Sequence, residues 1–268
     1  MNAHDPIDWY KDPLPGPAFA EALHRLHDQG PVARVRAMAG QLELFAIVGH
    51  AALGEAFKDG ERFPPGLAYQ IISKPFIGET FMSMDEPGNR LFRPPIMRAF
   101  RRRAVEAIPD ARFATLAHQL ADRIEADGRT EVDLCSEFTR LFSFAVLCDM
   151  LGLPRDRERE FFDWSMDLMF GGLDLEASHR ADRLLTDYLE PVIAARRAED
   201  RGDVLSHLVR VDIDGRRLSD AEVLAHLRLI FTAGATTTAD GLGNLVHALL
   251  TRPELWSACS AQPDRCAA

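Results

Sequence analysis

Lysine is nearly missing from this chain: Lys11, Lys58 and Lys74 are the only three among 31 basic residues, and the other 28 are arginines. Long apolar runs are missing too. The most apolar stretch, Leu141 to Cys148, is eight residues, whereas a membrane span needs about 20. The opening residues, MNAHDPIDWYKDP, carry acids and prolines where a secretory leader has basic and then apolar residues. These absences predict a soluble, cytoplasmic chain with no membrane partner. The four cysteines, Cys135, Cys148, Cys259 and Cys266, form no CxxC pair and no zinc spacing, so no metal ligand is assigned to them. Positive charge is also short. Acidic residues number 41 against 31 basic ones, and the net charge of −10 argues against nucleic acid as a partner.

What is present is the composition of a globular protein, 47% hydrophobic and 27% charged over 268 residues. Pro17 to Gly30 has apolar residues at helical spacing. PVARVRAM and QLELFAIVG, separated by Ala39-Gly40, fit a β-hairpin, and HAALGEAFKDG fits a short helix. Arg62 to Phe81 is rich in Pro, Gly and aromatic residues and is expected to be an irregular loop. Helical patterns follow at 96–107, 109–127, 133–151, 155–170, 176–200 and 203–210. A turn at Asp214-Gly215 marks a small strand pair. No repeat or linker stands out, which favours one domain, mainly α with a small β-sheet.

The last long helix is the most informative element. Ser219 and Glu222 form an S-x-x-E capping box, which satisfies free amides at a helix start. Apolar residues recur from Leu224 to Leu249, and nothing breaks the pattern before Pro253. Yet its middle, FTAGATTTADGLG, is poor helix sequence, since each glycine costs about 1 kcal/mol relative to alanine. Two readings stay open at this point: a backbone opened for a ligand, or a close helix crossing that needs small residues.

Leu229 to Thr238, LIFTAGATTT, resembles the A-G-x-(acid)-T-T stretch in the long distal helix of bacterial cytochrome P-450 enzymes, the haem-thiolate monooxygenases. HALLTRPELW resembles that family's end of the distal helix and start of the next. Met84 to Arg93, MDEPGNRLFR, running on to Ala99-Phe100, is similar to the family's M-D-x-P-x-H-x-x-x-R…AF segment. The resemblance implies a cytochrome P-450 fold, haem as cofactor, O2 and a small hydrophobic substrate as reactants, and a ferredoxin-type electron donor. It implies that Arg93 bonds a haem propionate, a charge-assisted contact, with Asn89 standing where the family has histidine. It implies that Ala233 and Gly234 let O2 sit beside iron and that Thr237 helps deliver protons. The family's acid is Thr236 here, and Asp240 lies one turn further on, within reach only through water. The basic stretch Arg98–Arg103 is the expected docking patch for the donor, with a reduction rate that falls as salt rises.

Pro94 and Pro95 interrupt the Arg93 segment. A proline inside a helix removes a hydrogen bond, so the helix is expected to restart at Pro95 and leave Asn89–Arg93 as a separate turn. The family's E-x-x-R helix and F-x-x-G-x-x-x-C loop do not follow Trp256. The expectation is therefore a partial domain over 1–256, ended after the distal helix, with a tail at 257–268 that reads as frameshifted. Without the cysteine ligand such a chain is expected to be inactive. Two other readings compete: a helical DNA-binding regulator, with a helix–turn–helix around Ala233-Gly234, and a non-catalytic remnant that binds another chain through exposed apolar surface. The substrate pocket is expected between Arg62–Phe81, the turn Phe170-Gly171-Gly172 and the distal helix.

Overall fold

The computed structural model describes residues 16–37, 42–100, 110–171 and 174–262. They divide into two compact units, one ending at Ile72 and one beginning at Ser73. In the first, helix α1 (Pro17–His27) has proline in its first turn, where the missing N–H costs nothing. Ala22 and Leu26, one turn apart, are buried against Ala33 and Val35. Those two alternate along β1 (Val32–Ala37), which pairs antiparallel with β2 (Leu42–Ile47) in a register running from Val32↔Ile47 to Ala37↔Leu42. The hairpin is as expected. Helix α2 (His50–Ala56) follows.

The segment expected to be irregular, 62–81, is instead largely short helices: α3 (Pro65–Ile72), α4 (Lys74–Ile77) and a 3-10 turn at Phe81–Ser83. Its prolines mark helix starts. Pro65 and Pro75 each sit in a first turn, where the fixed φ suits the helix.

The second unit continues with α5 (Gly88–Ile96). Here the expected restart at Pro95 is overturned, because α5 runs unbroken through both prolines. The helix is short, Pro94 is exposed, and a 3-10 turn at Met97–Phe100 follows at once. Only the amides of Pro94 and Pro95 are missing from the hydrogen-bond ladder there, so few bonds are lost. Next come α6 (Asp110–Ala126), a π-turn at Cys135–Thr139, α7 (Arg140–Leu151), α8 (Glu158–Met169) and α9 (Leu175–Ala198). Then α10 (Val204–Arg210) leads to the strand pair β3 (Asp212–Ile213) and β4 (Arg216–Arg217). Helix α11 (Asp220–Leu250) and α12 (Pro253–Ala261) complete the unit. The residues from 257 open as the end of α12, and 263–268 lie outside the described residues.

Aromatic stacking fixes the core. Phe144 of α7, Phe161 of α8 and Phe231 of α11 are fully buried and mutually stacked, with centroids 5.1–5.7 Å apart. Tyr188 of α9 meets Phe161 edge-on at 4.8 Å. Rings of this size bury large areas and add about 0.5–1.5 kcal/mol per well-placed pair, so these contacts set how the four helices are rotated. The capping box at Ser219 is present in full: Ser219 Oγ accepts from the Glu222 amide, and the Glu222 carboxylate accepts from the Ser219 amide at 2.8 Å.

Candidate functional site

Helix α11 runs unbroken through its poor middle, and the threonines there bond back onto their own helix. Thr232 Oγ1 donates to the Arg228 carbonyl at 3.0 Å, Thr236 Oγ1 to Thr232 at 3.1 Å, and Thr237 Oγ1 to Ala233 at 2.6 Å. The opened backbone is therefore not observed. Nor does a tight crossing explain the glycines. A Cβ at Gly234 would touch Leu147 at an ordinary 3.5 Å, and one at Gly241 would meet nothing. The unbroken helix also removes the turn that a helix–turn–helix around Ala233-Gly234 requires.

The described residues of the second unit line an open apolar cavity of about 480 Å³ against this helix. One wall is a stripe of α11 spaced four residues apart: His226, Ile230, Gly234 and Thr238, the interval that keeps side chains on one face. Arg93, Ile96, Met97 and Phe100 supply a second wall. Ser143, Leu147 and Met150 of α7 supply a third, and Phe81 and Met82 close it. Of the segments expected to line a pocket, Phe81 and α11 do so, whereas Phe170 and Gly171 do not; Gly172 lies outside the described residues.

Four of the expected residues separate from the other three. Arg93, Ala233 and Gly234 line the cavity. Arg93 is exposed and has no ion-pair or hydrogen-bond partner among the described residues. Asn89 does not line it. Its Nδ2 donates to the Phe81 carbonyl at 2.7 Å, so it fastens the 81–83 turn to α5. Thr236 is buried away from the cavity, with its hydroxyl near Met169 Sδ at 3.7 Å. Thr237 and Asp240 are exposed and are not among the lining residues.

The sequence reading missed Thr238, Ser143 and His226. The four-residue spacing from His226 to Thr238 was a usable signal for two of them. Ser143 had none, because its place depends on how α7 is rotated. His226 is 1% exposed and locked at both nitrogens: Nδ1 lies 2.7 Å from the Glu222 carbonyl, and Nε2 accepts from the Phe81 amide at 3.3 Å. Those partners fix the tautomer with the proton on Nδ1. Burial holds its pKa below the usual histidine value, and the bond to the Glu222 carbonyl works the other way.

A porphyrin face and a propionate suit this lining, with small residues against the helix, apolar side chains around, and one uncommitted guanidinium. The cysteines do not take part. Cys135 is exposed, Cys148 buried and Cys259 half-buried, and none lines the cavity; Cys266 lies outside the described residues. Of the expected basic patch, Arg98 is exposed, while Arg101–Arg103 also lie outside the described residues. No helix of the described residues is long and apolar enough to cross a membrane.

No protein-family model matches the chain. Individual proteins do. Cytochrome P450 107B1 of Saccharopolyspora erythraea is 30% identical over 264 residues, which span 92% of this chain and 64% of that protein. Mycinamicin IV hydroxylase/epoxidase of Micromonospora griseorubida is 28% identical over 260 residues, spanning 95% of this chain and 64% of its own. Among solved structures, Mycobacterium marinum cytochrome P450 CYP268A2 superposes with a TM-score of 0.78 at 21% identity, over 97% of this chain and 67% of that one. That likeness establishes the shared fold. The chain thus spans just under two thirds of the length of both relatives.

Proposed function

The chain belongs to the cytochrome P450 family, and from that premise we propose that it forms the distal half of a haem-dependent monooxygenase site for a small hydrophobic substrate. The observation that carries the reading is the convergence of Arg93, Ala233 and Gly234 on one apolar cavity. Haem is the implied cofactor and, when bound, supplies dioxygen activation. Arg93 holds a propionate, as a guanidinium without another partner is suited to do. Ala233 and Gly234 offer a wall with little side-chain bulk. Thr237, its hydroxyl donating to Ala233, keeps lone pairs free to accept a proton-bearing partner, and Asp240 one turn on faces solvent. Asn89, whose amide donates to the Phe81 carbonyl, positions the 81–83 turn. The apolar lining favours a hydrophobic substrate. Arg98 belongs to the docking face for a ferredoxin-type donor, in the cytoplasm.

Turnover also needs a thiolate, which sets the electron push on haem iron, and no described cysteine lines the cavity. The 268-residue chain by itself is therefore expected to take up haemin without monooxygenase activity. Titrating it with haemin should give saturable binding, and Arg93→Ala should weaken that binding by about 1.5–3 kcal/mol, the worth of a hydrogen bond to a charged group. After reduction, carbon monoxide should give no red-shifted thiolate band. Equal haemin affinity in the Arg93 variant would overturn the propionate assignment, and a thiolate band from this chain would overturn its expected inactivity.

A further inference from the structure

The cavity is apolar almost throughout, and its polar wall groups are Arg93, Ser143, His226 and Thr238. His226 is committed at both nitrogens. Ser143 is not. It is 3% exposed, it lines the cavity, and its hydroxyl is sealed from solvent without a hydrogen-bond partner.

Ser178 Oγ of α9 is also buried without a partner, but Ser178 does not line the cavity, and the other buried hydroxyls of these helices are paired. Ser165 Oγ donates to the Phe161 carbonyl four residues back at 2.7 Å, Thr139 to Cys135 at 3.3 Å, and Thr232, Thr236 and Thr237 do the same on α11. A helix offers that bond to any serine that turns towards it. Ser143 forgoes it, and a buried hydroxyl without a partner lowers stability. Alanine would fill the position without that cost. Among the groups lining the cavity, Arg93 is the one fixed charge, and it is positive.

We propose that Ser143 is a binding residue of this cavity, and that its hydroxyl donates to a carboxylate oxygen of an otherwise apolar ligand. The hydroxyl is covered in this structure, so the bond requires it to turn about its single χ1 when the ligand enters. The proposal rests on the reading above that this cavity takes haem and a hydrophobic substrate, and either could supply the carboxylate: a haem propionate or a fatty-acid head.

The test uses the 268-residue chain and its Ser143→Ala variant, with haemin and laurate as separate probes and the melting temperature of the ligand-free chain as a second readout. The variant should melt at the same temperature or higher without ligand, because an unsatisfied group is removed. Its affinity should fall about three- to tenfold for at least one probe, as loss of one hydrogen bond implies. A loss confined to haemin identifies the propionate, and a loss with laurate identifies a substrate carboxylate. Unchanged affinity for both probes overturns the proposal. So does a lower ligand-free melting temperature, which would mean that water already serves the hydroxyl. If the wild-type chain binds laurate but not haemin, the haem reading fails while the laurate comparison still decides the role of Ser143. Binding of neither probe overturns both.

Discussion

Replacing His226 with alanine tests whether the cavity depends on a buried strut. The Phe81 amide would lose its acceptor inside the core. A stranded buried donor costs about 1–3 kcal/mol, and the long 3.3 Å bond places this loss in the lower half of that range. The stack of His226 on Phe81, with centroids 5.7 Å apart, is worth about 0.5–1.5 kcal/mol more. The sum, about 1.5–3.5 kcal/mol, is a large share of the roughly 5–15 kcal/mol that a domain possesses. At about 2–4 °C per kcal/mol for a chain of this size, the melting temperature should drop by about 3–14 °C. The Phe81 amide should exchange with solvent faster, since it loses its acceptor while the Thr80–Ser83 capping box and Asn89 still hold the rest of the turn. Acid should act in the same direction on the wild type. Burial keeps the folded pKa of His226 below the usual histidine value of 6.5, so the unfolded chain binds the proton more readily. Its contribution is complete above about pH 6.5 and is lost as pH falls below that value towards the folded pKa. His226→Gln should remove this part of the pH dependence. An alanine variant as stable as the wild type, with unchanged exchange at the Phe81 amide, would refute the reasoning.

Two further substitutions address the frame around the site. Arg196 Nε bonds Asp203 at 2.7 Å and its Nη2 bonds the Gly152 carbonyl at 2.5 Å, with the two side chains 4% and 11% exposed; Arg196→Ala should destabilise by about 3–5 kcal/mol, the cost of leaving a buried charge unpaired, and a urea-melt difference below about 1 kcal/mol would contradict this. Glu222 is held at a pKa of about 2, below the usual glutamate value of 4.5, chiefly by its hydrogen bonds to Arg216 and then by those to the Ser219 amide and hydroxyl. Its contribution is therefore full above about pH 4.5 and lost as pH falls towards about 2, and Glu222→Gln should flatten the acid limb of the stability profile.

Local patterns were legible. The hairpin alternation, the capping box at Ser219 and Glu222, the 31-residue helix Asp220–Leu250 and the motif segments around Arg93 and Gly234 each rest on residues within a few positions of one another. Backbone periodicity encodes such information directly. Where local rules misled, a neighbour beyond the pattern had decided. Pro65 and Pro75 read as loop residues but begin helices. Pro94 and Pro95 read as a break but lie inside α5, where the cost falls on an exposed stretch.

The sequence by itself determined the helical class, the small hairpins, the long helix and the family motifs, along with the lack of a thiolate loop motif within these 268 residues. Tertiary structure alone decided which side chains share the cavity. Thr237 and Thr238 are neighbours in sequence, but a helix turns about 100° per residue, and the rotation set by the Phe144–Phe161–Phe231 stack brings Thr238 to the cavity wall. Asn89 sits four residues from Arg93 as the motif requires, yet the Phe81 carbonyl at 2.7 Å takes its amide. His226 meets Phe81 across 145 residues of chain, and Ser143 reaches the same cavity from a third helix. Contacts of that kind depend on the rotation and packing of whole helices, which no short window of sequence contains.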